Sequence, residues 1–130
     1  MTYLSSVKQP QSLLGSGLRT FFNMSSEWAL TEEQEDQLLG HPGHATLQAW
    51  RQGEYQDARA SVLNHVSCLL GIYKALHTLF PDSGQANRWI KRQITSPPFN
   101  GQSALAVMCS GNLDDLMAVR LFLEGELHGP

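Results

Sequence analysis

Apolar residues along this chain recur at intervals of three and four instead of alternating, and that spacing restricts the fold to packed amphipathic helices. Leu13, Leu14, Leu18, Phe21 and Phe22 form a first stripe that runs toward Asn23 to Ser26, with Gly15 and Gly17 weakening it. The long stripe of Val62, Val66, Leu69, Leu70, Tyr73, Leu76 and Phe80 predicts a helix from about Ala58 to Phe80, closed by Pro81. Gly71 within it costs about 1 kcal/mol relative to Ala, so its expected use is close approach by another helix.

Short helices fill the space between these stripes and beyond them. Thr31 followed by Gln34 has the form of a capping box, with Glu32 and Glu33 at the positive end of a helix that ends near Leu39. Gly40 and Pro42 stop it. A second short helix is expected from Ala45 or Thr46 to Gln52, with Leu47 and Trp50 inward and Gly53 as terminator. After Asp82 the pattern breaks into Gln85 to about Arg92, a Pro97-Pro98 loop, Ser103 to Ser110, and Asn112 to about Glu124. Ser103 and Asn112 stand as caps, and Leu113, Leu116, Val119, Leu123 and Leu127 give the last helix its apolar side. The expected organisation is all-α, with an N-terminal helical unit over 1–81 and a smaller one over 82–130. Because the long stripe belongs to the first unit, that unit is expected to stay folded without the last helix.

Charge and composition bound the function. A hydrophobic fraction of 42% with 16% charged residues is that of a globular protein, and a net charge of -3 does not suit a surface built to coat nucleic acid or anionic lipid. The start of the chain carries only Lys8 before a polar, Pro-containing stretch, and no apolar run approaches a membrane span, so a cytoplasmic protein is expected. Cys68 and Cys109 fall in apolar-periodic segments, as free thiols in a reducing compartment would.

The two short helices around Gly40-His41-Pro42-Gly43 have the dimensions of a helix-turn-helix, which would place Thr46, Gln48, Arg51 and Gln52 toward DNA. Against that stands charge. Glu27, Glu32, Glu33, Glu35, Asp36, Glu54 and Asp57 surround Arg51 as the sole Arg or Lys between positions 27 and 57, and such a face repels phosphate. A helical hairpin anchored by Trp50 is the simpler structural reading. His41, His44, His65 and Cys68 are conceivable zinc ligands but lack a paired spacing, so no metal or other cofactor is expected. The acidic run on the first short helix reads as a solvated face, and Gly15-Ser16-Gly17 lacks the strand and further glycines of a phosphate loop. No constellation of catalytic groups emerges, and the chain reads as a non-enzyme. Arg88, Lys91 and Arg92, spaced around Trp89 and Ile90, form a basic patch suited to an acidic partner.

Several stretches also resemble a known family. Arg88-Trp89-Ile90, Phe99-Asn100-Gly101-Gln102-Ser103-Ala104-Leu105 and Met108-Cys109-Ser110-Gly111-Asn112-Leu113, followed by Asp115-Leu116, Val119-Arg120 and Phe122-Leu123, resemble the C-terminal toxin-binding domain of the MbcA/ParS/Xre antitoxins. Trp28-Ala29-Leu30-Thr31, Gln37-Leu38-Leu39-Gly40, Leu47-Gln48-Ala49-Trp50-Arg51 and Leu69 to Leu76 resemble that family's Xre-like helix-turn-helix unit. Where family members carry Gly-Gly-Arg-Ser-Pro, this chain has Asn100-Gly101-Gln102-Ser103-Ala104 and lacks the Arg.

The resemblance implies an antitoxin of a type II pair that neutralises an adjacently encoded toxin of the RES fold, a class acting on NAD. It also implies a homodimer that binds its own operator through Thr46, Gln48, Arg51 and Gln52. Toxin binding would fall to Arg88, Trp89, Arg92, Phe99, Gly101, Ser103, Leu105, Met108, Gly111, Leu116, Val119, Arg120 and Leu123. The alternative is a stand-alone dimeric helix-turn-helix regulator of transcription.

Overall fold

The computed structural model describes residues 10–55, 58 and 60–128; Lys8 and Asp57, used in the charge argument, lie outside them. Seven helices and no strand occur among the described residues: α1 (Pro10–Trp28), α2 (Glu32–Leu38), α3 (His44–Arg51), α4 (Ala60–Leu79), α5 (Ser83–Trp89), α6 (Ala104–Met108) and α7 (Leu113–His128). The all-α expectation holds. Among the described residues the single extended pairing is an isolated antiparallel bridge between Gln93 and Ser103.

Local chemistry sets the helix starts. Thr31 and Gln34 make the capping box reciprocally, with Gln34 N donating to Thr31 Oγ1 at 3.1 Å and Thr31 N donating to Gln34 Oε1 at 2.9 Å. Asp82 caps α5 through Gly84 N, and Ser103 caps α6 through Ala106 N. At the head of α7, the Asn112 carbonyl accepts from Asp115 N and Leu116 N.

The centre of the molecule is α4, which packs most extensively against α7 and next against α1. Its buried residues are Val66, Cys68, Leu69, Ile72, Ala75 and Leu76. That set is broader than the predicted stripe, because a helix covered on two sides buries Cys68 and Ile72 as well as Val66, Leu69 and Leu76. Val62, Leu70, Tyr73 and Phe80 pack only at its margin.

Glycines allow these close approaches. A Cβ on Gly17 would lie 2.7 Å from Val66 Cγ1, and one on Gly15 would lie 2.9 Å from the Tyr55 ring, so Gly15-Ser16-Gly17 is a helix contact and no phosphate loop. Gly71 admits the Arg120 guanidinium, whose Nε would lie 2.6 Å from an added Cβ. The expected close approach is therefore made by one side chain of α7.

One continuous core contains Leu14, Phe21 and Trp28 from α1, Leu47 and Trp50 from α3, and Leu116, Val119 and Leu123 from α7. The helix α4 thus packs against α1 of its own stretch and against α7 of the stretch 82–130. Removal of α7 would open one flank of the central helix, so the two stretches share their core.

Candidate functional site

Two regions carry most of the polar side chains that could serve a function: the α2–α3 hairpin, and the corner formed by α5, the 90–103 loop and α6. They treat charge in opposite ways.

In the hairpin, α2 and α3 cross so that the acids of one meet the polar groups of the other. Glu35 is 3% exposed; its carboxylate accepts from Ser25 Oγ at 2.5 Å and pairs with the Arg51 guanidinium. Arg51 also lies over the Phe22 ring, with Cζ 4.4 Å from the centroid. Gln48 Nε2 donates to Glu32 Oε1 at 2.5 Å, and His44 Nδ1 stands 2.7 Å from Glu32 Oε2. Hydrogen bonds from His44 and Gln48 hold the Glu32 carboxyl below the usual carboxylate range. Asp36 accepts from Gly43 N at 2.8 Å and faces His41 Nδ1 at 3.1 Å.

The solvated acidic face expected from sequence is therefore corrected: Glu32, Glu35 and Asp36 knit the hairpin together. The same contacts bear on the four residues expected to face DNA. Gln48 and Arg51 are held by carboxylates, Thr46 is half-buried beside a cleft, and Gln52 alone of the four projects fully into solvent without such a hold. A cation engaged by a buried carboxylate carries little net field toward phosphate.

The cleft beside Thr46 has a volume of about 420 Å³ and is bordered by His41, Trp50, Ser61 and His65. His65 Nδ1 donates to the Leu38 carbonyl at 3.1 Å, since a carbonyl can only accept. The His41 ring packs on Gly111, where an added Cβ would lie 2.5 Å from Nε2, and so joins the hairpin turn to the α6–α7 turn. Of the four zinc candidates, His41, His44 and His65 each have an oxygen partner at Nδ1. Among the described residues no group of three or more His, Cys, Asp or Glu side chains is placed to hold a metal ion. Both cysteines are free; burial raises the Cys68 thiol, and burial with the nearby Glu33 raises Cys109 to about 11.

The C-terminal corner reverses this arrangement. Trp89, 9% exposed, meets Phe99 edge-on at 5.9 Å and stacks on Phe122 at 6.3 Å, while Phe99 and Phe122 meet edge-on at 4.9 Å. This cluster anchors the loop. Ile94 N donates to the Gln102 carbonyl at 3.1 Å, Gly101 N to the Ile94 carbonyl at 2.7 Å, and Leu105 N to the Ile90 carbonyl at 2.8 Å. The Pro97-Pro98 bond within the loop is cis. Over this frame Arg88, Lys91 and Arg92 are all exposed, and among the described residues none forms a salt bridge.

The toxin-binding set expected from sequence divides into surface and support. Arg88, Arg92 and Gly101 are exposed, and Ser103, Gly111 and Arg120 are half-buried. Trp89, Phe99, Leu105, Met108, Leu116, Val119 and Leu123 lie in the core, where they hold the surface in place. Apolar residues at helical spacing mark burial before they mark an interface. The sequence reading also missed Met117 and Leu121, which stand exposed on α7; their one signal was an apolar pair at i, i+4 that fell off the main stripe. No helix among the described residues is long and apolar enough to cross a membrane.

Comparison with known proteins finds the uncharacterized protein y4oB of Sinorhizobium fredii, 31% identical over 125 residues, which cover 96% of this chain and 95% of that one. No family model matches the chain, and no solved structure matches it significantly.

Proposed function

The chain belongs to one family with the Sinorhizobium fredii protein y4oB, and from the geometry of its C-terminal corner we propose that it is a partner-binding protein, the antitoxin of a type II pair. The observation that carries this reading is the placement of Arg88, Lys91 and Arg92. Three exposed cations stand within five residues on an aromatic frame, in a chain whose net charge is -3. Exposed charge that does not stabilise its own fold is suited to steering an oppositely charged partner. The resemblance to MbcA/ParS/Xre antitoxins names that partner as an adjacently encoded RES-domain toxin, covered by the corner and its loop. No cofactor enters this reading, and the chain acts by binding, not by catalysis, in the cytoplasm.

The alternative, a stand-alone regulator reading DNA through α3, draws less support from the same geometry, because Gln48 and Arg51 are engaged by α2. Operator binding would be a secondary activity of the dimer. Co-expression with the neighbouring open reading frame separates the two. Growth rescue and co-purification of a stable complex are expected; a toxic neighbour that is neither bound nor neutralised, together with specific retention of the upstream DNA, would favour the regulator.

A further inference from the structure

We propose that the cleft between the hairpin turn and the start of α4 is a binding site for a small uncharged cyclic amide, a flat ring of nucleobase type with an N–H beside a carbonyl. Its volume of about 420 Å³ lies within the roughly 300–1,000 Å³ of small-molecule sites. His65 sets the polar edge. Because its Nδ1 donates to the Leu38 carbonyl, the neutral imidazole is fixed with Nε2 as an acceptor. Gly40 leaves that nitrogen uncovered, since a Cβ there would lie 3.1 Å from both Nε2 and Cε1. Ser61, one helical turn before His65 on the same face of α4, borders the same cleft. Thr46 borders it from α3, and among the described residues its hydroxyl has no hydrogen-bond partner, unlike those of Thr20 and Thr78, which return to carbonyls of their own helices.

The lining decides the charge of the ligand. Among the described residues that border the cleft none is Asp, Glu, Lys or Arg, and the nearby acids are engaged elsewhere, Asp36 by Gly43 N and His41, Glu35 by Ser25 and Arg51. An ion would leave water without a counter-charge. His41 serves as a wall, because its Nδ1 faces Asp36 and its Nε2 lies against Gly111. Leu39, Trp50 and Val62 supply the apolar surface that the faces of a flat ring require. At the edge of that ring, an N–H donates to His65 Nε2 and the adjoining carbonyl accepts from Ser61 or Thr46. A cyclic amide holds that donor and acceptor side by side. A nucleotide carries the same edge, but its phosphate would stand near the Asp36 carboxylate, 3.1 Å from the His41 wall, so the free base is the occupant that fits. This inference uses no residue of the cationic corner and can fail independently of the proposed function.

A nuclear magnetic resonance titration of the full chain with uracil tests it. Uracil is expected to bind with a Kd of about 1 mM or tighter and to shift the side-chain signals of His65 and Trp50. Uracil methylated at both ring nitrogens should bind at least about tenfold more weakly, because His65 Nε2 then receives no donor. Uridine monophosphate should also bind more weakly than the free base. His65→Asn keeps an N–H for the Leu38 carbonyl but removes Nε2, and should weaken uracil binding by about tenfold, with circular dichroism confirming its fold. Absence of shifts at His65 and Trp50 up to about 10 mM uracil, equal binding of the methylated base, or unaltered binding by folded His65→Asn overturns the proposal. The ligand comparisons use the wild-type chain and decide the matter even where the variant does not fold. Tighter binding of uridine monophosphate than of uracil overturns the free base as the occupant.

Discussion

The α2–α3 hairpin and the α5–α6 corner are each two short helices joined by a loop, yet one turns its charge inward and the other turns it out. In the hairpin, Glu35 is buried under Arg51 and Ser25, and Glu32 is held by His44 and Gln48. In the corner, the interior is aromatic and the cations of α5 and the following turn face solvent. The difference shows that a helix-turn-helix outline does not by itself make a nucleic-acid surface. What matters is whether its cations are already engaged.

The comparison breaks most completely if the two regions are separated. Deletion from Asn112 onward removes α7, the most extensive neighbour of α4, and with it Leu116, Val119 and Leu123. We expect the truncated chain to lose cooperative thermal unfolding by circular dichroism; retention of a sharp transition would show that α1 to α4 hold a core of their own. Within the corner, Trp89→Ala removes the ring that packs on both Phe99 and Phe122 and is expected to cost about 3–5 kcal/mol in chemical denaturation. A loss below about 1 kcal/mol would mean that the aromatic cluster does not anchor the loop.

Breaking the hairpin network should cost less, because Arg51 is partly exposed. Arg51→Ala strands the Glu35 carboxylate and is expected to cost about 1–3 kcal/mol, with most of the loss recovered when Glu35→Gln is added. Additive losses in that double-mutant cycle would contradict the coupling between the two side chains.

Proton binding sharpens the comparison at both ends of the pH range. Tyr73, raised to about 12 by burial and by its hydrogen bond to Glu27, and Cys109, raised to about 11, favour the folded state while protonated. Their stabilisation is complete below the unfolded values near 9 and 10 and is lost as pH rises toward 12. Glu32 works in the other direction: its lowered folded value gives stabilisation that is present above about 4.5 and is lost as pH falls below it. Amide exchange across the hairpin should therefore quicken in acid before it does so in the corner. Simultaneous loosening of both regions would contradict the assignment of Glu32 to the hairpin alone.

How much of this could be read from the sequence depended on the range of the interaction. The capping box at Thr31, the cap at Ser103, the all-helical pattern and the inward Trp50 and Trp89 are local or periodic, and they were legible. The pairing of Glu35 with Arg51 spans sixteen residues and depends on how α2 crosses α3, which periodicity does not encode. The same limit hid the burial of Phe99, Leu105 and Met108, which the family resemblance marked as interface residues. Gly71 was legible as a close contact, but the side chain that fills it, Arg120, was not.

The smallest structural effect and the most direct functional test come from the same variant. Arg88→Glu with Arg92→Glu changes only exposed charge and should alter stability by no more than about 0.5 kcal/mol. Its association with the proposed toxin partner, followed by stopped flow at low and high salt, should be slowed at least about tenfold relative to wild type at low salt and converge with it at high salt, while Arg51→Ala associates at the wild-type rate. Unchanged association of the Arg88→Glu, Arg92→Glu protein, with Arg51→Ala slowed instead, would contradict the account and move the binding surface to the hairpin.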